Sequence, residues 1–74
     1  MIKKVIKTIR KEKGFSQKKL ADIIGVAQTT LSGYETGYSK PILETVIDIA
    51  NACDYDIYLI NKNNNKKIII KNNK

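Results

Sequence analysis

The sequence has 74 residues, a formal net charge of +7 and an isoelectric point near 9.6, which predicts one small basic domain. A single cysteine, Cys53, and no histidine exclude an internal disulfide, Cys/His metal sites and His-dependent catalysis. Because paired carboxylates in a cleft and a glycine-rich phosphate loop are also missing, we expect no enzyme, cofactor or metal. No apolar run is long enough to span a bilayer and no signal peptide is present, so we expect a cytoplasmic protein.

The charges are separated along the chain. Residues 1–40 hold nine basic and three acidic side chains, residues 41–60 hold four acids and no base, and residues 61–74 hold five lysines and no acid. This basic balance predicts a polyanionic partner, either nucleic acid or an anionic membrane surface. The alternative is that an AT-rich genome has enriched the chain in lysine and asparagine, but such enrichment alone would not separate basic from acidic residues along the chain. A chain of this length buries only a small hydrophobic core, so we expect oligomerisation to contribute to its stability.

The first predicted helix has one apolar stripe. Ile2, Val5, Ile6 and Ile9 recur at the helical spacing i, i+3, i+4, i+7. We expect Gly14 to end this helix as a residue beyond its C-terminus, because glycine tolerates the left-handed conformation found there.

Two short helices follow, joined by a tight turn. Ser16 is a good N-cap for the first of them, and Gly25 ends it. The second is predicted from about Gln28 to about Thr36. We expect the inward side chains of the pair, together with the loop residues beside it, to be Phe15, Leu20, Ala21, Ile24, Val26, Leu31 and Tyr34.

The fourth predicted helix starts with Pro41 in its first turn, a position that suits proline. Its apolar residues cover an arc of about 160°, wider than the roughly 100° that a one-sided core requires. This helix therefore should touch two surfaces, the domain core and either the tail or a second subunit. Cys53, near its end, is predicted to be a small core residue with a reduced thiol.

The tail changes to a strand pattern. Two β-branched and aromatic runs, 56–60 and 67–70, flank a polar run at 61–66 and predict a β-hairpin with a long loop. Both runs are apolar on both faces, and an isolated hairpin is marginal in water, so the tail should pack against something else, most simply its own copy. The alternative is a frayed, low-complexity end. We divide the chain into a domain at 1–54 and a hairpin or tail at 55–74.

Residues spaced through the first 54 positions resemble the phage repressor and Cro-type helix-turn-helix family, often called XRE. The residues that carry this resemblance are Gly14-Phe15-Ser16-Gln17, Leu20-Ala21, Gly25-Val26, Leu31-Ser32, Tyr34-Glu35, Gly37 and Pro41. The resemblance covers about residues 2–54 and implies a mainly α fold, a compact four-helix repressor-like domain containing a helix-turn-helix. The C-terminal β-hairpin or strand lies outside it.

In such an arrangement the second helix of the pair lies in the major groove, with its N-terminal residues toward base edges. We expect base contacts from Gln28, whose amide can pair with adenine, and from Thr29. Ser32 is the next outward position about one turn further on. Gly33 is expected to remove bulk there and let the helix approach DNA closely.

Phosphate contacts are expected from the start of the first helix of the pair and from the loop after the second. The predicted set is Gln17, Lys18, Thr36, Tyr38, Ser39 and Lys40. The resemblance implies that Gln17 touches the DNA backbone and braces the first recognition-helix residue. Arg10 is the only arginine among 14 basic residues, and the resemblance implies that it pairs with Glu35.

Three functions remain open from the sequence. The first is a homodimeric, sequence-specific transcriptional regulator, most simply a repressor, that binds an inverted-repeat operator in double-stranded DNA. The second is an antitoxin that binds a toxin protein and autoregulates its operon, because a strand after a helix-turn-helix is similar to HipB-like antitoxins. The third is a binder of nucleic acid or membrane surfaces through charge alone.

Overall fold

The computed structural model describes residues 1–71, which form four helices followed by a two-stranded antiparallel sheet. The helices are α1 (Ile2–Lys13), α2 (Gln17–Ile24), α3 (Gln28–Thr36) and α4 (Leu43–Ala52), and the strands are β1 (Ile57–Ile60) and β2 (Lys67–Ile70). This is the mainly helical fold, with its C-terminal hairpin, that the sequence predicted. Residues 72–74 of the predicted tail lie outside the described residues. Over residues 1–71 the helices are too short and too polar to cross a membrane.

Local signals in the sequence set the boundaries of the first two helices. Gly14 and Gly25 follow α1 and α2 in the left-handed conformation, with φ of 81° and 77°. Ser16 begins α2, and its side-chain oxygen accepts a hydrogen bond from the Lys19 amide at 3.0 Å. The predicted caps at these three positions are therefore confirmed.

The start of α4 differs from the prediction. Ile42 is the N-cap, with extended backbone angles of φ −73° and ψ 163°, and Leu43 is the first helical residue. Pro41 thus lies before the helix and not in its first turn. Proline has no amide hydrogen, and neither position requires one for a helical hydrogen bond, so the sequence pattern is compatible with both.

One core joins all four helices. Its fully buried side chains come from α1 (Ile6), α2 (Leu20), α3 (Leu31) and α4 (Ile49), with Ala21 and Cys53 also buried against them. Phe15, Val26 and Tyr34 are partly buried at its edge, as their inward placement predicted. Burial raises the pKa of the Cys53 thiol, which keeps it protonated and unreactive at neutral pH.

The strands β1 and β2 form an antiparallel hairpin whose loop is shaped by asparagine side chains. Ile57 pairs with Ile70 and Ile60 with Lys67, in antiparallel register. The side chain of Asn61 accepts hydrogen bonds from the amides of Asn63 (2.8 Å) and Asn64 (3.3 Å), which shapes the loop. The polar run between the strands is therefore a structured turn rather than a frayed low-complexity segment.

Candidate nucleic-acid interface

The helix α3 exposes its first turn and buries its middle. Leu31 is fully buried in the core, and this contact holds α3 against the rest of the domain. Gln28 and Thr29 are exposed in the first turn, while Ser32 is half-buried one turn later. The structure thus leaves the amide of Gln28 and the hydroxyl of Thr29 open to a ligand at the N-terminal end of α3.

A buried ion pair joins α1 to the end of α3. Arg10 Nε donates to Glu35 Oε2 at 2.6 Å, and Arg10 Nη2 donates to Glu35 Oε1 at 2.9 Å. A third donor of the same guanidinium, Nη1, bonds the carbonyl oxygen of Phe15 at 2.8 Å. One arginine therefore fixes α1, the loop before α2 and the last turn of α3, a geometry that a lysine ammonium could not reproduce.

The charges of this pair stabilise each other. Burial alone would raise the pKa of Glu35, but hydrogen bonds from Arg10 and Gln17 and the Arg10 charge outweigh burial and hold that pKa below its ordinary value. The hydrogen bonds to Glu35 raise the pKa of Arg10 above its already high value. Both groups therefore stay ionised at neutral pH, and the carboxylate is a permanent anchor for the helix.

Gln17 braces a different residue from the one expected. Its Nε2 donates to Glu35 Oε1 at 3.2 Å, so its amide is oriented by the C-terminal part of α3 and not by Gln28. The physical reason is that Glu35, already held by Arg10, offers a charged acceptor close to the start of α2. Gln17 is half-buried in this position, at the N-terminal turn of α2.

Gly33 is buried, and its expected place on the exposed face of α3 is wrong. A Cβ added here would lie 2.8 Å from Ser39 Oγ and 3.7 Å from a Tyr38 ring carbon. The Ser39 amide also donates to the Gly33 carbonyl at 3.2 Å. The missing side chain makes room for the loop after α3, so this glycine serves packing within the domain.

The residues expected to face phosphates lie on two neighbouring segments. Thr36 Oγ1 donates to the Gly33 carbonyl at 3.3 Å and accepts from the Tyr38 amide at 3.4 Å, which shapes the loop between α3 and α4. In this loop Tyr38 is almost fully exposed, Lys40 is exposed and Ser39 is half-buried. Lys18 is exposed on α2 and bonds Asp22 at 3.3 Å, a contact that solvent screens strongly.

Two lysines of α1, one beside this loop and one near Glu35 of α3, were not singled out from the sequence. A Cβ at Gly37 would lie 3.1 Å from Lys3 Cδ, so the Lys3 stem lies across the start of the loop. The charge of Lys7, one turn later, contributes to lowering the pKa of Glu35. Their i, i+4 spacing indicated a shared face of α1, but only the packing of α1 against α3 shows which way that face points.

The helices α2 and α3 are arranged as a helix-turn-helix. The first turn of α3 is polar and exposed, and the opposite side of α3 is held by Leu31 and by the Arg10–Glu35 pair. A model of the HTH_3 helix-turn-helix family matches residues 6–60 of the chain. The chain belongs to this helix-turn-helix family. The matched region includes all of α2, α3 and α4 and extends through β1.

Relatives of this helix-turn-helix chain are named as regulators. It is 41% identical over 46 residues to the HTH-type transcriptional regulator AnsR of Bacillus subtilis, a match covering 62% of this chain and 40% of AnsR. It is 32% identical over 69 residues to the uncharacterized HTH-type transcriptional regulator YqaE of the same organism, covering 92% of this chain. The chain thus spans 40% of AnsR and 60% of YqaE.

A solved structure shares the fold. The crystal structure of the biofilm master regulator SinR in complex with DNA superimposes with a TM-score of 0.69 and 36% identity. The match covers 74% of this chain and 89% of that chain. The chain is therefore a helix-turn-helix domain of the kind found in transcriptional regulators.

Proposed function

We propose that this helix-turn-helix chain is a sequence-specific transcriptional regulator, most simply a repressor, that binds an inverted repeat in double-stranded DNA as a homodimer. The observation that carries the proposal is the exposure of Gln28 and Thr29 on the first turn of α3, a helix held in place by Leu31 and by the Arg10–Glu35 pair. The SinR structure with DNA supports it, because its helix-turn-helix superimposes on this one.

Base recognition falls to the first turn of α3. The Gln28 amide offers a donor and an acceptor side by side, which suits the N6 and N7 atoms of adenine in the major groove. Thr29 offers a hydroxyl to a base or a methyl group to thymine, and Ser32 lies one turn further along the same helix. A matched bidentate contact discriminates against the wrong base by about 1–3 kcal/mol.

Backbone positioning falls to the start of α2 and to the loop after α3. The first amides of α2, at Gln17 and Lys18, have no partner within the helix, and the positive end of the helix dipole lies there. Thr36, Tyr38, Ser39 and Lys40 present hydroxyl and ammonium groups from the loop, and Lys3 adds a positive charge beside it. Such contacts fix the register of the protein on DNA without reading the sequence.

A two-fold dimer would place two α3 helices in successive major grooves, about 34 Å apart. This predicts a specific experiment: selection of bound sequences from a random DNA pool should recover a symmetric consensus with two half-sites about one helical turn apart. Recovery of no motif would contradict sequence-specific binding. Recovery of a single asymmetric half-site would retain specificity and remove the homodimer.

A matched pair of variants identifies the residues that read the sequence. Selection with Gln28→Ala should relax one position of each half-site, because an interaction with a base edge is lost. Lys18→Ala serves as the control, since loss of a phosphate contact weakens binding uniformly and leaves the consensus unchanged. A consensus that is the same with Gln28→Ala would assign base recognition to other side chains.

An antitoxin remains the second candidate, favoured by one observation. The hairpin that follows the helix-turn-helix exposes apolar side chains on both strands, a surface that a partner protein could cover. A toxin gene adjacent in the operon, whose product forms a stoichiometric complex with the purified chain, would support this function. An isolated locus with autonomous operator binding would support the regulator alone.

A further inference from the structure

An apolar groove lies between α1 and α4. It has a volume of about 300 Å³ and is walled by Ile2, Val5, Leu43, Val46 and, from the start of the hairpin, Ile57. Val5 and Leu43 expose about half of their surface along it. The groove is separate from the polar first turn of α3, because none of the residues proposed to contact DNA lines it.

One face of the hairpin continues this groove. Paired residues of an antiparallel ladder share a face, so Ile57 and Ile70 lie on the same side as Leu59 and Ile68. Ile57 and Ile70 are half-buried, whereas Leu59 is 58% and Ile68 is 56% exposed. The apolar surface therefore extends from the groove outward along the hairpin, on the face that carries Ile57.

The opposite hairpin face is partly covered by its own side chains. It carries Tyr58, Ile60, Ile69 and Lys67, and the Lys67 ammonium lies 5.9 Å from the centre of the Tyr58 ring. This cation–π contact places a charge and its hydration on that face. Burying it in an interface would cost desolvation, so the Leu59 face is the better docking surface.

The charges and the area around this surface fit a second copy of the same chain. Lys62 and Lys66 lie in the hairpin loop that follows Leu59, whereas Asp56 lines the groove and residues 41–60 hold four acids and no base. In a two-fold arrangement each basic tip meets the acidic side of the other copy. Val5, Leu43, Leu59 and Ile68 each expose 46–58% of their surface here, which is apolar area that a standard interface of roughly 800 Å² per partner would bury.

We propose that a second copy of this chain occupies the groove, with Leu59 and Ile68 of each copy packed between α1 and α4 of the other. The interface is isologous, since the same two surfaces meet twice across the two-fold axis. This inference deepens the proposed homodimer by naming its contact, and it leaves both α3 helices free. It uses the hairpin face and not the hairpin edges.

Two adjacent residues of β1 provide the test. Leu59→Glu places a charge on the docking face, and Ile60→Glu, at 56% exposure, places the same charge on the opposite face. Sedimentation equilibrium should show a dimer for the wild type and for Ile60→Glu, and a dissociation constant at least 100-fold higher for Leu59→Glu. Leu43→Glu, from the groove side, should reproduce the loss. Circular dichroism checks that each variant is folded, and the exposure of all three sites in the monomer favours folding.

The outcomes separate this interface from DNA recognition. If Ile60→Glu dissociates the dimer and Leu59→Glu does not, the interface lies on the opposite face and the proposal is wrong. A dimer that persists in both variants would also overturn it. Binding to a single half-site, measured by fluorescence anisotropy, should be unchanged in Leu59→Glu. Specific half-site binding by a monomeric wild type would overturn the interface and retain DNA recognition, whereas a Leu59-dependent dimer without specific binding would do the reverse.

Discussion

Glu35 is a charged residue buried at the end of α3, and such a group is costly unless its partners are in place. Here three donors reach its two oxygens, two from Arg10 and one from Gln17. The cluster lies on the inner side of α3, away from the exposed first turn. We propose that the cluster fixes the orientation of α3, and with it Gln28 and Thr29, so that DNA binding does not have to order the helix.

Substituting Glu35 should change both stability and its pH dependence. Because the folded-state pKa of Glu35 is lowered, its stabilising contribution is present above the ordinary value of 4.5 and is lost as pH falls through the lower folded-state pKa. Glu35→Gln should therefore lower the free energy of unfolding by about 3 kcal/mol at pH 7, since it leaves Arg10 buried without a counter-charge. The difference from wild type should shrink below pH 4.5. Urea unfolding at several pH values measures both effects.

Two further variants keep this prediction testable if Glu35→Gln is too unstable to measure. Arg10→Lys retains the charge but loses the fork geometry, and should cost about 2 kcal/mol. Asp22→Asn is the control, because it removes the exposed Lys18–Asp22 pair and should cost less than about 1 kcal/mol. Equal effects of Arg10→Lys and Asp22→Asn would show that the buried pair has no special role.

At the scale of elements, the junction between α3 and α4 depends on one glycine. Gly33 lies in the middle of α3, where glycine is less favourable than alanine by about 1 kcal/mol. A larger residue would not fit at this position unless the Ser39 hydroxyl moved, because Ser39 Oγ occupies the space that a Cβ would need. A local cost in helix propensity is thus offset by close packing of the loop that carries Tyr38 and Lys40.

A double-mutant cycle tests this account. In a Ser39→Ala background, the methyl group introduced by Gly33→Ala would lie 4.0 Å from the Cβ of residue 39, which is an ordinary contact. Gly33→Ala should therefore stabilise this background by up to about 1 kcal/mol. In the wild-type background Gly33→Ala must displace the Ser39 hydroxyl and should gain less or destabilise. Thermal unfolding of the four proteins gives the coupling energy. Additive effects would show that Ser39 does not constrain position 33.

The same elements show where sequence reasoning succeeds. Caps at Gly14, Ser16 and Gly25 were predicted because each depends on one residue and its immediate neighbours. Pro41 was placed wrongly because proline is compatible both with the first turn of a helix and with the position just before its N-cap. Gly33 was placed wrongly because helical periodicity does not include the loop that folds back over it.

At the scale of the whole molecule, the chain divides its charges between two tasks. Lys18 lies on α2, Lys40 in the loop after α3 and Lys3 beside that loop, where the proposed DNA contacts lie. Asp56 lines the groove, and Lys62 and Lys66 lie in the hairpin loop, where the proposed dimer contact lies. One small domain can thus carry two interfaces of different chemistry on different surfaces.

Dimerisation should be visible in the stability of the whole molecule. Folding coupled to association makes the thermal midpoint depend on protein concentration, and we expect it to rise by about 4 °C for a tenfold increase near the dissociation constant. The Leu59→Glu variant should show a lower midpoint that does not change with concentration. Calorimetry at protein concentrations from about 5 to about 500 µM measures both. A concentration-independent midpoint in the wild type would contradict coupled folding and association.

The sequence by itself determined the number and order of the elements, the caps at Gly14, Ser16 and Gly25, the apolar face of each helix and the pairing partner of the lone arginine. These follow from local spacing and from the resemblance to one family, whose motif is dense between residues 14 and 41. Only the tertiary structure decided that Gln17 bonds Glu35, that Gly33 is buried, that Lys3 lies beside Gly37 and that one hairpin face continues the groove. Each of these depends on segments distant in sequence meeting at a definite angle, which periodicity along the chain does not encode.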